Sequence, residues 1–199
     1  MNAMIVYSEE TKRGFLIDPG DEVDRILGRV EKLGVKIEAI VFTHGHIDHV
    51  AYAEEAREKL EVPTYLHKDD WQMAAAAPQQ CLMFGLPPCP VVQIDHELPG
   101  SGPFEMAGLS FQTYHTPGHS PGSVTLVAPE HKIAIVGDVV FAGSVGRTDL
   151  PGCSSKALDE SIERVILPLD DDIVLYPGHG PTTTVGRERK SNPFLRALQ

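Results

Sequence analysis

Thr43-His44-Gly45-His46-Ile47-Asp48-His49 places three imidazoles and a carboxylate in one short stretch, directly after the apolar run Ile37 to Phe42. Imidazole nitrogen is a borderline-soft ligand and carboxylate oxygen a hard one, so a loop offering both suits a divalent ion such as zinc, iron or manganese. A bare histidine-rich turn is the competing reading. It fails if further ligands converge on the same kind of place, because motif matches are decided by context. The length and β-branching of Ile37 to Phe42 predict a buried strand, so the cluster sits at a strand's carboxyl end, the edge where open α/β sheets place their sites.

Upstream, Met4 to Tyr7 and Phe15 to Ile17 flank a charged turn and predict a hairpin that runs into the break Asp18-Pro19-Gly20. Val23, Ile26, Leu27, Val30 and Leu33 recur at helical spacing and stop at Gly34, which predicts an amphipathic helix. Downstream, helices are expected over Ala51 to Leu60 and Asp69 to Ala77, with a short strand at Thr64 to Leu66. Pro78 to Pro103 is rich in proline and glycine and is expected to be irregular, with Met73, Met83, Phe84 and Leu86 as an adaptable pocket wall. Strands are then expected at Leu109 to Tyr114, Ser123 to Val127, Ile133 to Val136 and Ile173 to Tyr176, and a helix over Ala157 to Leu167. Three more candidate ligands follow strands in the same manner: His119 in His115-Thr116-Pro117-Gly118-His119, Asp138 after Gly137, and His179 after Pro177-Gly178. A glycine beside each lets the backbone approach closely.

The 199 residues are enough for one substantial core, and no break in composition divides them, so a single domain is expected over residues 1–199. A formal net charge of −11 disfavours nucleic acid and anionic membrane surfaces, which demand a basic face, and points to a small-molecule partner, with the chain a monomer or homodimer. Cys81, Cys89 and Cys153 are odd in number and form no C-x-x-C pair, so neither a disulfide framework nor a thiolate zinc cage is expected. The N-terminus has no basic start and no long apolar stretch, so a cytoplasmic setting is the expectation. His67, His96 and His131 have no partners in the pattern and are expected at the surface.

The order T-H-x-H-x-D-H, T-P-G-H, G-D and P-G-H resembles the metallo-β-lactamase superfold. Within it, Val145-Gly146-Arg147-Thr148-Asp149 and the ending from Thr182 to Leu195 resemble the short bacterial glyoxalase II-like hydrolases. That resemblance implies an α/β fold of the four-layer αββα sandwich type. It makes His44, His46 and His119 the ligands of a first metal, Asp48, His49 and His179 those of a second, and Asp138 a bridge, with Asp48 and Asp138 the carboxylates assigned to catalysis. Two divalent ions, zinc by preference and iron or manganese otherwise, would lower the pKa of a shared water to about 7 and supply hydroxide to a thioester carbonyl.

The resemblance also makes Asp18 a brace for the ligand loop, and His115 is a candidate to orient the His119 loop. Arg147 matches the position where glyoxalase II enzymes hold glutathione, but an internal pair with Asp149 is an equal reading. Asp149 replaces a tyrosine of the larger enzymes, and no C-terminal helical domain follows His179, so the thiol carrier is less supported than the metal chemistry. Relatives also carry a further strand before the segment matching Asn2 to Tyr7, so one sheet edge is expected to be missing or covered differently. The implied activity is hydrolysis of S-acyl glutathione or a related small thioester. The alternative is persulfide dioxygenase-like oxidation, which uses one iron held by two histidines and an aspartate.

Overall fold

The longer strands of the first half form where β-branched, aromatic and other large apolar residues run together. The computed structural model describes residues 1–199, and they divide into two compact units: Met1, Ala3–Leu98 and Glu105–Ser110 in the first, Asn2, Pro99–Phe104 and Phe111–Gln199 in the second. Each unit has a sheet, helices and its own cluster of buried apolar side chains. These are the components that an αββα sandwich requires.

In the first unit, β1 (Met4–Tyr7), β2 (Arg13–Ile17), β3 (Lys36–Val41), β4 (Thr64–Leu66) and β5 (His96–Glu97) form one sheet in that order. β1 and β2 are antiparallel, as the expected hairpin requires, and β2, β3 and β4 are parallel. Phe15, Leu16, Ile17, Ile40, Val41 and Phe42 are all fully buried; each such large side chain contributes about 1.5–3 kcal/mol. The register pairs Ile17 with Val41, so the carboxyl ends of β2 and β3 finish side by side. That alignment brings Asp18 to the cluster that follows β3. Helix α1 (Val23–Leu33) turns Val23 and Val30 inward and stops at Gly34, whose φ of 64° lies in the left-handed region that glycine enters without steric cost. Short helices α2 (Ile47–Val50), α3 (Ala53–Leu60), α4 (Trp71–Ala75) and α5 (Ala77–Phe84) follow.

In the second unit, β6 (Ser101–Met106), β7 (Leu109–His115), β8 (Val124–Ala128), β9 (Ile133–Gly137), β12 (Val174–Pro177) and β13 (Thr183–Thr184) make a sheet of order β13-β12-β9-β8-β7-β6; β10 (Val140–Phe141) and β11 (Ser144–Val145) form a separate hairpin. β9 and β12 are parallel and end together, Pro177 opposite Gly137, with the Gly178 N–H donating to the Gly137 carbonyl at 2.8 Å. Asp138 and His179 therefore emerge next to each other. Helix α6 (Ser155–Ser161) is capped by the Ser154 hydroxyl and continues as a π-helical turn over Ile162–Ile166, burying Leu158, Ile162, Val165 and Ile166. α7 (Val185–Ser191) and α8 (Pro193–Ala197) close the chain. No helix is long and apolar enough to cross a membrane.

The proline-rich region is more regular than its composition predicts. Pro78 stands in the first turn of α5, where a helix needs no N–H from it, and Gly85 ends that helix at φ 66°. Pro103 lies in β6, the last strand of its sheet, where a missing donor disrupts no interior ladder. Of the expected pocket wall, Leu86 borders a cleft, whereas Met83 and Phe84 remain 80% and 67% exposed.

Candidate metal centre

His44, His46 and His49 are buried on the loop and short helix after β3, and the Asp48 side chain is partly exposed beside them. The His44 ring lies 4.0 Å from that of His49 and 4.9 Å from that of His46, centroid to centroid. Asp18 holds this stretch in place. It is fully buried and left-handed, at φ 49°, a conformation that costs a side-chain-bearing residue about 1–2 kcal/mol and that aspartate tolerates better than most. Its Oδ1 accepts the Thr43 N–H at 2.8 Å, and its Oδ2 accepts the Thr43 hydroxyl at 2.7 Å and His49 Nδ1–H at 2.9 Å. With the Thr43 proton committed to Asp18, Thr43 Oγ1 accepts from His44 Nδ1 at 3.1 Å. Gly20 lets the Asp18 turn lie against the ligand helix, because a Cβ there would stand 2.1 Å from the Asp48 carbonyl oxygen.

Asp70 performs a similar task from another direction. Fully buried, it accepts the Gly45 N–H at 2.8 Å. Sequence reasoning missed it; the available signal was a second aspartate directly before the apolar start of α4. His67 is also a correction: it is 7% exposed rather than on the surface, because its Nδ1 caps the following 3-10 turn by accepting the Asp69 N–H at 3.4 Å. His96 and His131 are exposed.

The second unit assembles His119, Asp138 and His179. His119 Nε2 lies 3.4 Å and His179 Nε2 3.6 Å from the same oxygen, Asp138 Oδ2. His119 Nδ1 donates to the Arg147 main-chain carbonyl at 2.9 Å, and Phe141 stands edge-on to His179 with ring centroids 6.1 Å apart. Gly146 is obligatory, since a Cβ would fall 1.9 Å from the Asp138 carbonyl oxygen. His115 spans the His119 loop, its Nε2 donating to the Pro121 carbonyl at 2.7 Å. The hairpin carrying Phe141 is itself tied down: buried Glu188 accepts the Gly143 N–H at 2.7 Å and Asn192 Nδ2 at 2.9 Å, and Asn192 donates to the Ser144 carbonyl at 2.9 Å. Neither Glu188 nor Asn192 was anticipated.

Arg147 forms a two-pronged ion pair with Asp149, at 2.7 and 2.9 Å, on an exposed rim. The hydrogen bonds from Arg147 hold the Asp149 carboxyl down at about 2.

These donors fit a divalent metal by their chemistry. His44, His49 and His119 each commit Nδ1 to an oxygen, which fixes the tautomer that presents the Nε2 lone pair. His49 Nε2 stands 3.5 Å from Asp48 Oδ2, and the two contacts on Asp138 are alike; tetrahedral ligands with bonds near 2.0–2.1 Å lie about 3.3 Å apart. Beside Asp48, a cleft of about 790 Å³ is bordered by Gly20, Asp21, Ile47, Tyr52, Leu86 and Pro87.

Comparison with known proteins bears on this arrangement. Residues 2–179 match the family described as the metallo-beta-lactamase superfamily. The chain is 36% identical over 198 residues to the hydroxyacylglutathione hydrolase GloC of Haemophilus influenzae, covering 98% of this chain and 93% of that one. Among solved structures, it is similar to the BLEG-1 B3 metallo-beta-lactamase (TM-score 0.90, 34% identity, 98% and 93% covered) and to TTHA1623 in a di-iron-bound form (TM-score 0.87, 39% identity, 98% and 94% covered). With this likeness running through nearly its whole length, and with donors suited to a divalent ion in each unit, the chain belongs to the metallo-beta-lactamase superfamily of metal-dependent hydrolases.

Proposed function

We propose that the chain is a thioesterase that cleaves S-acyl glutathione or a related small thioester, with His44, His46, Asp48, His49, His119, Asp138 and His179 as the ligands of one dinuclear centre. The observation that carries this reading is the anchoring of three ring Nδ1 atoms on oxygens, a pattern that readies imidazoles for metal and adds little to a core. The thioester part rests on the 36% identity to a hydroxyacylglutathione hydrolase. When bound, a pair of divalent ions, zinc first and iron or manganese otherwise, acidifies water and polarises a carbonyl. Asp18 and Asp70 keep the first donors in position, and the Arg147 carbonyl keeps His119 in position. The partly exposed Asp48 meets the cleft, where the body of a small substrate fits. A thiol of pKa about 8.5 leaves as thiolate, so no strong general acid is required of the chain. The small-molecule substrate is the expected partner, and the acidic balance speaks against nucleic acid.

Protein purified without added metal is expected to carry close to two ions per chain and to hydrolyse S-lactoylglutathione, and His119→Ala is expected to abolish that hydrolysis. Oxygen uptake with glutathione persulfide, one iron per chain and no thioester cleavage would overturn the proposal in favour of persulfide oxidation.

A further inference from the structure

Two thiols that are eight positions apart in sequence meet in space. Cys81 is fully buried on α5, and Cys89, after Pro87 and Pro88, is 7% exposed. Their Sγ atoms are 3.1 Å apart, and both cysteines are free. The turn between them is held by the Leu86 N–H, which donates to the Cys81 carbonyl at 2.9 Å, and by Tyr52, whose hydroxyl donates to the Pro87 carbonyl at 3.0 Å. Leu86 and Pro87 border the cleft beside Asp48, and Leu82, Met83 and Phe84 on the same segment are exposed. We propose that Cys81 and Cys89 are a dithiol–disulfide couple, a modification site at which oxidation staples the Leu82 to Pro88 segment at the border of that cleft.

The distance makes the step local, because a disulfide needs sulfurs about 2.05 Å apart and the pair has only about 1 Å left to close. The oxidant class is a hydroperoxide. Cys89, the less buried residue of the two, attacks the peroxide O–O bond and becomes a sulfenic acid as one water (from hydrogen peroxide) leaves. Cys81 sulfur then displaces the sulfenic hydroxyl, which departs as a second water with the Cys81 proton. Two thiols lose two electrons and one peroxide is reduced. Disulfides of reducing compartments are chiefly transient or redox-sensing, which is the behaviour such a couple would show. Burial pushes the Cys89 thiol up to about 12, so thiolate is scarce and the couple answers sustained oxidant, not a brief pulse.

The test uses the full metallated chain treated with hydrogen peroxide and then mapped. The expected result is a fall from three free thiols to one, a loss of about 2 Da, a peptide joining Cys81 to Cys89, and slower chymotryptic cleavage after Phe84, all reversed by dithiothreitol. Cys89→Ser and Cys81→Ala are each expected to prevent the mass loss and to leave the activity of the reduced protein unchanged. Persistence of both thiols, or oxidation confined to Cys153 or to intermolecular pairs, would overturn the couple. A Cys81–Cys89 bond that forms without slowing cleavage after Phe84 would overturn the stapling.

Discussion

The first unit draws its four donors from a single loop and short helix and braces them with buried carboxylates, Asp18 and Asp70. The second draws three donors from the ends of different strands and braces His119 with a main-chain carbonyl. The contrast teaches that a ligand's orientation can be set by a side chain, which one substitution removes, or by the path of the backbone, which only a change of shape disturbs.

The largest effect is expected where a side chain is the brace. Asp18→Ala removes the acceptor of three hydrogen bonds and puts alanine at a left-handed position; metal affinity is expected to fall about 10–100-fold in a chelator competition. Stability is expected to fall by about 3 kcal/mol in a denaturant melt. Gly146→Ala should come next, because a methyl group would drive the backbone from the Asp138 carbonyl and shift His119 with it. About a tenfold loss of metal affinity is expected, and an unchanged affinity would break the claim that chain path is the brace there. Asp70→Asn keeps one acceptor oxygen for the Gly45 N–H, so a change in affinity within about threefold is expected.

Arg147→Ala should matter least to the metal, because the carbonyl that holds His119 survives the substitution. Metal affinity within about twofold of the parent is expected, with any loss confined to kcat/KM. An effect as large as that of Asp18→Ala would erase the distinction between the two kinds of brace. The pH dependence of the rim is fixed in sign. Asp149 is held at about 2 against an ordinary 3.8, so its pair with Arg147 is complete above the ordinary value and is lost only as pH falls toward 2. Titration of the Asp149 carboxyl by NMR checks this, and a midpoint at or above 4 would contradict the pairing.

The first unit's donors are legible from one line of sequence, because His44 to His49 are crowded together and crowding is what a local reading detects. His119, Asp138 and His179 are legible only through their common place after predicted strands. The company of Asp138 and His179 depends on the parallel register of β9 and β12, which no short window contains. Asp70 acts across 25 positions and is marked locally only by the aspartate pair before α4, whereas Glu188 and Asn192 act across 45 and 48 positions and nothing in their immediate neighbours marks them. The approach of Cys81 to Cys89 is hidden because the proline and glycine content of Pro78 to Pro103 predicts irregular chain, whereas Pro78 opens a helix that carries Cys81. The same bias toward composition concealed β6, whose proline is harmless on an outer strand.

Holding His119 by the peptide oxygen of residue 147 separates two evolutionary pressures at one position. Any amino acid supplies that oxygen, so lineages can exchange the side chain at this position while inheriting the same imidazole geometry, a modularity that uncouples what the surface displays there from how the ring is aimed.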